Sequence, residues 1–521
     1  MGNKINKVLI QLIVLIFGVL WGGIIILNLF FSYANYSCKK EFLLPNIVLL
    51  LFGLLFAGLM TGICAKLNKF RKIDKIISID ILSVSLFLIQ AYVFYNIQFH
   101  TTQWDQWSVY WNADMISKGQ TEGLANFYFS SFPNNQFIVF VQSLILKINR
   151  VCGVLDQEGF MLMILVQCVL CTLTGKLLFE TIEILTESKI YALIGWIIFA
   201  ILLGLSGWNV VTYTDIMGLV FPIAILRVYL SLRNKKNVLL KWTLIFALSF
   251  WGYKMKPTAI IMILAILIAE VIHFLKNTEE GNFKGKLLQP IKIICIGVIS
   301  AVIYSVLFSS MINSTGLVID KEASTGALHM MMMGMNPVND GVWYGDDVSL
   351  SQGIANKQER TDAQIKVIKQ RLKDYGIKGF VRHMCKKSLI IFNDGTFAWG
   401  AEGGFYDVVC DDKNEVVSPV LKSLYYNSGS RYLWLSSIEQ MAWITTLFLS
   451  IGIVLKQKRK EELVIILSLV GIIVFNYMFE ARARYIMIYV PIFILAALIS
   501  LKEILLYANK IKDKLIAVED E

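Results

Sequence analysis

The chain has 521 residues, of which 56% are hydrophobic and only 17% charged, with a mean hydropathy of +0.62. That balance excludes a water-soluble globule. The formal net charge of +11 sits between long apolar runs, and no basic patch is interleaved with exposed aromatics on a soluble domain, so a nucleic-acid-binding surface is excluded too.

A span needs about 20 apolar residues to cross a hydrocarbon core of about 30 Å. Runs of this kind predict an all-α polytopic membrane protein with about twelve transmembrane helices, near 8–33, 46–65, 78–99, 159–182, 190–207, 214–231, 240–255, 257–275, 289–311, 434–455, 463–479 and 484–506. The first run is too long for a signal-peptide core and no small-residue cleavage site follows it, so it reads as a retained anchor. Basic residues fix the expected orientation. Lys4 and Lys7, the Lys66–Lys75 cluster with Lys69, Arg71 and Lys72, Arg233 with Lys235 and Lys236, Lys276 with Lys284 and Lys286, and Lys456 to Lys460 fall on one side if both termini are cytoplasmic. Regions 100–158, 208–214, 254–257 and 312–433 then face outward. The chain divides accordingly into a membrane core at 1–311 that includes the first outer loop, a large outer loop at 312–433, and C-terminal spans with a tail at 434–521.

The first outer loop opens with Trp104-Asp105-Gln106-Trp107, a carboxylate among aromatic rings at a membrane surface. An amphipathic interfacial helix is expected next, ended by Gly119, with Asp114 on its solvated polar face. After Tyr128 to Asn135, the run Gln136–Leu146 is too short to span and reads as a second interfacial helix. Cys168 and Cys171 have C-x-x-C spacing but lie in an apolar span, where small core residues are expected. Cys385 and Cys410 would both be outside and are open to pairing, and His100 near Asp105 is either structural or a metal ligand.

Thr212-Tyr213-Thr214-Asp215 begins a later span, so Asp215 is either a functional carboxylate or a helix cap. Lys254-Met255-Lys256-Pro257 forms another outer turn. In the large loop, His329 to Pro337 is methionine-rich, suited either to packing on the membrane part or to a surface over which an acyl chain or sugar ring passes. Asp362–Tyr375 has helical periodicity that stops at Gly376. Lys386-Lys387 either anchors the loop to anionic headgroups or adds to a lipid-phosphate site. The last outer turn, Glu480-Ala481-Arg482-Ala483-Arg484-Tyr485, carries arginines against the positive-inside tendency. They either touch headgroups or Glu480, or form a fork for a lipid phosphate. Charged residues within spans, Lys176, Glu180, Arg227, Glu270 and Lys292, lie near span ends, which argues against a polar transport path.

Asp105-Gln106, Phe132-Pro133-Asn134-Asn135, Tyr213-Thr214-Asp215, Lys256-Pro257 and Glu480 to Tyr485 together resemble polytopic glycosyltransferases of the GT-C fold, within it the protein O-mannosyltransferase and aminoarabinose-transferase group. The match in organisation covers most of the chain. Many relatives have Asp-Glu where this chain has Asp105-Gln106, which leaves a second-carboxylate role, including binding of a divalent metal, without its usual residue; no other cofactor is indicated. The resemblance implies transfer of a sugar from a polyprenyl-phosphate donor to an outer acceptor, a glycan, lipid or protein hydroxyl, with inversion. It implies Asp105 as general base and Asp215 as a second catalytic carboxylate. Lys256, Arg482 and Arg484 would face the phosphate, with Glu480, Tyr485, Asn134, Asn135 and Tyr213 lining the substrates. The plasma membrane is the expected location, with the bilayer itself as partner. A lipid-linked sugar flippase and a non-catalytic envelope assembly protein are the alternative functions.

Overall fold

The computed structural model describes residues 2–35, 42–68, 77–97, 102, 104–153, 159–232, 237–277, 283–402, 412–455 and 459–519. His100, Cys410 and the basic residues Lys69, Arg71, Lys72, Lys75, Arg233, Lys235, Lys236, Lys456 and Lys458 lie outside them, and so do the expectations that rest on those residues.

The described residues form helices joined by short turns. The first three are α1 (Gly2–Phe30), α2 (Asn46–Asn68) and α3 (Ile79–Ile97). Three follow before the next span: α4 (Asp105–Ser117), α5 (Asn126–Ser131) and α6 (Gln136–Cys152). The middle of the chain gives α7 (Phe160–Thr186), α8 (Lys189–Phe199), α9 (Thr214–Met217), α10 (Val220–Ser231), α11 (Val238–Met255), α12 (Ile260–Asn277) and α13 (Phe283–Asn313). The large loop contains α14 (Gly326–Gly334), α15 (Gly345–Gly353), α16 (Lys357–Phe392), α17 (Trp399–Glu402) and α18 (Val417–Tyr425). The chain closes with α19 (Tyr432–Ser450), α20 (Lys460–Met478) and α21 (Val490–Glu519).

Among the described residues, 10 helical segments are long and apolar enough to cross a membrane, fewer than the twelve expected. The remaining two are helices of a different kind. The first, 190–207, is cut short where α8 runs into a π-helical turn at Ala200–Gly204 and then a turn at Gly207, over which the Trp399 ring closes. The second, α11, carries Lys241 near its start and Lys254 near its end, which lowers its apolar content.

Burial decides which helices lie at the centre. The most apolar window of the Ala483–Ile511 span is 89% buried, against 11% for Leu287–Asn313. The central helix is almost wholly apolar over 490–501, and glycines on its neighbours let them come close: Gly452 at the α19 end meets Ser500, and Gly195 of α8 meets Ile494. Trp21 ties the N-terminal helix to this centre. Its ring stacks on Phe493 at 5.1 Å, and its indole N–H donates to Ser450 Oγ at 2.8 Å, so a large aromatic is buried with its polar atom satisfied. Cys168 and Cys171 are buried free thiols in α7, as expected of core residues.

In the first loop a helix does end just before Gly119, which is in the left-handed region (φ +73°). However, α4 buries Gln106, Asn112 and Asp114 together with Val109, Tyr110 and Ala113 rather than dividing into a polar and an apolar face, and α6, on which it packs, starts at Gln136 and runs past the expected Leu146 to Cys152. Asp114 departs from its expected solvated position. It is buried, salt-bridged to Lys118 at 2.6 Å and to Arg150 of α6, and so pins the two helices together. In the large loop the helix begins at Lys357 and does not stop at Gly376; it kinks there (φ 55°, ψ −173°) and resumes to Phe392. That backbone conformation is nearly restricted to glycine, while no atom lies within 4 Å of an added Cβ. Gly376→Ala is therefore expected to cost about 1–3 kcal/mol by backbone strain alone, read as a lowered unfolding midpoint in detergent; an unchanged midpoint would show that the kink relaxes freely.

Candidate functional site

The site gathers at one face of the bundle, where the start of α4, the Pro133–Asn135 turn, the 208–215 segment, the α11–α12 turn and the 480–485 turn meet. Trp104 precedes α4 in an extended conformation, so Asp105 falls in the first helical turn, where the helix dipole favours a negative charge. The adjacent pair then splits. Asp105 stays exposed in a crowded cleft, whereas Gln106 is buried, accepts from Thr102 Oγ1 and donates to Thr212 Oγ1, each at 3.1 Å. Gln142 donates to Thr212 O at 2.6 Å, and Gln167 accepts from the Tyr213 N–H at 3.1 Å and donates to Asn209 O at 2.9 Å, so two glutamines hold the 209–213 backbone while Gln106 fixes the Thr212 side chain.

A chain of hydrogen bonds reaches Asp105 from that backbone. The Tyr213 hydroxyl donates to Asn135 Oδ1 at 2.8 Å, Asn135 Nδ2 donates to the Tyr128 hydroxyl at 2.6 Å, and Tyr128 donates to Asp105 Oδ1 at 2.8 Å. The other Asp105 oxygen has no partner among the described residues. The cleft walls thin the hydration of the carboxyl and push its pKa above the usual value, with the Tyr128 hydrogen bond and the Arg484 charge pulling the other way. Burial also holds the Tyr128 and Tyr213 hydroxyls well above their ordinary range, so both remain protonated donors. Asn134 is exposed beside this chain and donates to Asn135 Oδ1 at 3.2 Å.

Beneath Asp105 lies a charge-balanced lattice. Asp215 bonds Lys256 through one oxygen and Arg484 through the other, the latter at 2.9 Å. Glu402 lies 2.8 Å from Arg482 and 2.9 Å from Arg484, Glu480 accepts from Arg482 at 3.0 Å, and the Tyr485 hydroxyl donates to Glu480 at 2.8 Å. Three cations thus face three carboxylates. Burial alone would drive the Lys256 ammonium toward its neutral form, and it does hold the pKa below the ordinary value; the adjacent Asp215 works against this. Arg484 is boxed by aromatic faces, its guanidinium carbon 4.6 Å from the Trp104 ring centre and 5.5 Å from that of Tyr485.

Several expectations change here. Asp215 does not cap its helix: Tyr213 occupies the capping position without a side-chain bond, and Asp215 is spent on the two cations. The donors of Arg482 and Arg484 expected to grip a phosphate point at carboxylates instead. Lys386 pairs with Asp340 at 2.8 Å, and Lys387 is fully buried, donating to the carbonyls of Gly334 and Tyr477 at 2.9 Å and of Phe479 at 2.6 Å. Burial withdraws Lys387 from any headgroup contact. Burial lowers the Lys387 pKa to about 7, and its bonds tie α14 and α16 to the 480 turn. Met332, Met333 and Met335 are buried in this docked segment, the packing alternative for the methionine run.

Sequence reading missed Glu402, whose only signal was two outer arginines in want of countercharge, and it left Tyr128 without a role. His329 also borders the site: it is buried, packs near Phe132 and lies 2.9 Å from Ser351 Oγ through Nδ1, and burial pulls its pKa down toward a neutral ring.

No curated protein and no solved structure matches this chain. A family model described as conserved hypothetical integral membrane protein matches residues 3–505, nearly the whole length. With that match and, among the described residues, ten apolar helical segments, one of them the buried central helix, the chain belongs to this family of conserved hypothetical integral membrane proteins.

Proposed function

We propose that the protein is a membrane glycosyltransferase with a GT-C-like architecture, moving a sugar from a polyprenyl-phosphate carrier to a hydroxyl acceptor, with the site on the outer face of the plasma membrane and both termini in the cytoplasm. One observation carries the reading: Asp105 is an exposed carboxylate with one oxygen fixed by Tyr128 and the other uncommitted, above a buried lattice of fixed charge. A carboxylate with a raised pKa is a stronger base at neutral pH than an ordinary aspartate, and it suits the proton of an attacking hydroxyl. The acceptor oxygen then bonds to the anomeric carbon, the bond from that carbon to the phosphate oxygen breaks, and the lipid phosphate leaves with the electron pair. Inversion follows from attack opposite the leaving group. The lattice supplies a preorganised field that shifts little during reaction, because each of its charges is already held by another. Asp215 acts in it as a positioning residue for Lys256 and Arg484. A cell-envelope glycopolymer is the favoured acceptor.

Purified protein supplied with radiolabelled polyprenyl-phosphate sugars should move label into an acceptor fraction, and absence of transfer across a panel of donors and acceptors would overturn the reading. Tyr128→Phe offers a finer test. The hydroxyl stabilises ionised Asp105, so its loss raises the Asp105 pKa further. Since the base works deprotonated, the acidic limb of the rate profile should move to higher pH and kcat at neutral pH should fall roughly tenfold, the equivalent of one charge-assisted hydrogen bond. An unmoved limb would separate Tyr128 from the base.

A further inference from the structure

The site's buried cations are already neutralised, so a phosphate arriving there needs another positive charge. Lys254 meets that need. It is half-buried at the end of α11, two residues before Lys256, and among the described residues it has neither a carboxylate nor a hydrogen-bond partner. Its ammonium lies over aromatic faces, 4.0 Å from the Phe308 ring centre, 5.6 Å from Phe250 and 5.9 Å from Tyr253. Ring faces attract a cation without neutralising it.

The helix also supplies a track for an apolar chain. Phe246, Phe250 and Lys254 are spaced by four residues and share one face of α11, with Trp242 one step deeper. This face meets α13: Phe246 touches Gly297, Phe250 lies 5.6 Å from Tyr304, and Trp251 lies 6.2 Å from Tyr304. The span containing α13 is the least buried of the ten, and its outer side presents Val302, Ile303 and Val306 to the surroundings. Phe137 at the start of α6 stacks on Trp251 at 5.2 Å, next to the Pro133–Asn135 turn and the exposed Asn134.

We propose that Lys254 is the docking charge for the phosphate of a long-chain lipid whose tail lies along the outer surface of the seam between α11 and α13. The proposal rests on the glycosyl-transfer reading for the identity of that lipid as the sugar carrier. Lys254 lies in the last turn of α11, two residues before the Lys256 that bonds Asp215 in the candidate site.

The test uses the full chain in neutral phosphatidylcholine nanodiscs, with binding of polyprenyl phosphate followed by native mass spectrometry and no acceptor present. Polyprenyl phosphate should bind, polyprenol without the phosphate should bind at least tenfold more weakly, and phosphatidylglycerol in equal amount should fail to displace the ligand. Lys254→Gln should weaken binding about tenfold or more while Lys254→Arg retains it, and both variants should share the wild-type unfolding midpoint. Unchanged binding by Lys254→Gln would overturn the proposal, and so would displacement by phosphatidylglycerol, which would make Lys254 a contact for bulk headgroups. Asp105→Asn should bind the lipid as wild type does. Lys254-dependent binding without transfer would therefore fail the transfer reading alone, whereas transfer with an unaltered lipid KM in Lys254→Gln would fail this proposal alone.

Discussion

Asp105→Asn should abolish sugar transfer, lowering kcat by on the order of 10²–10⁴-fold, the usual contribution of a positioned general base. The replacement keeps the shape of the side chain and an oxygen to accept from Tyr128, so the hydrogen-bond chain through Asn135 to Tyr213 should survive. Stability separates loss of chemistry from loss of fold, and its sign follows from linkage. The folded protein holds the Asp105 pKa above its unfolded value, so ionisation of this group opposes folding at neutral pH. The asparagine variant should thus unfold at the same or a slightly higher temperature at pH 7, with the difference vanishing at pH values below the unfolded pKa. Equal transfer by both proteins would remove Asp105 from the reaction.

Asp215→Asn should have the largest effect on stability, a loss of about 3–5 kcal/mol, because one neutral amide would leave two buried cations without their shared counter-ion. Lys256 and Arg484 are both largely shielded from solvent, and Asp215 bonds each through a different oxygen. Adding Lys256→Met to the asparagine variant removes one of the stranded charges and should recover part of the loss, a coupling read from the double-mutant cycle of detergent unfolding midpoints. A loss below about 1 kcal/mol would mean that water or Glu402 replaces the missing carboxylate. Transfer should fall in the single variant along with stability, whereas for Asp105→Asn only transfer should fall.

The resident elements of this fold were largely readable because each depends on local pattern. Apolar runs of membrane length gave the long helices, and Gly119 marked the end of α4 because a left-handed residue must close a helix there. Where local pattern and packing competed, packing won. Gly376 reads as a stop signal, yet the chain resumes its helix because residues 383–392 are drawn into contact with α14, α20 and the 480 turn. Asp114 reads as a surface carboxylate, yet Arg150 arrives from α6 to bury it.

The site shows the same division. Asp105, Asp215, Lys256, Arg482 and Arg484 could be chosen from sequence because charged residues next to apolar spans are conspicuous, and the fold brings all five to one face. Their pairing could not be chosen. Glu402 lies 80 residues from Arg482 along the chain, and nothing in its own neighbourhood marks it as the counter-ion of two arginines. Tyr128 needed Asn135 and Tyr213 beside it before its hydroxyl had a direction.

The sequence by itself determined that this is an integral membrane protein, that its helices are apolar and numerous, and that its conspicuous charges lie at span ends, since composition and period follow from the energy of placing each residue in water or hydrocarbon. Tertiary structure alone decided which charges cancel and which do not. Arg482, Arg484 and Lys256 are committed to carboxylates, while among the described residues one Asp105 oxygen and the Lys254 ammonium have no such partner. The physical reason is that a buried charge takes its state from groups within a few ångströms, and distant segments of the chain supply those groups.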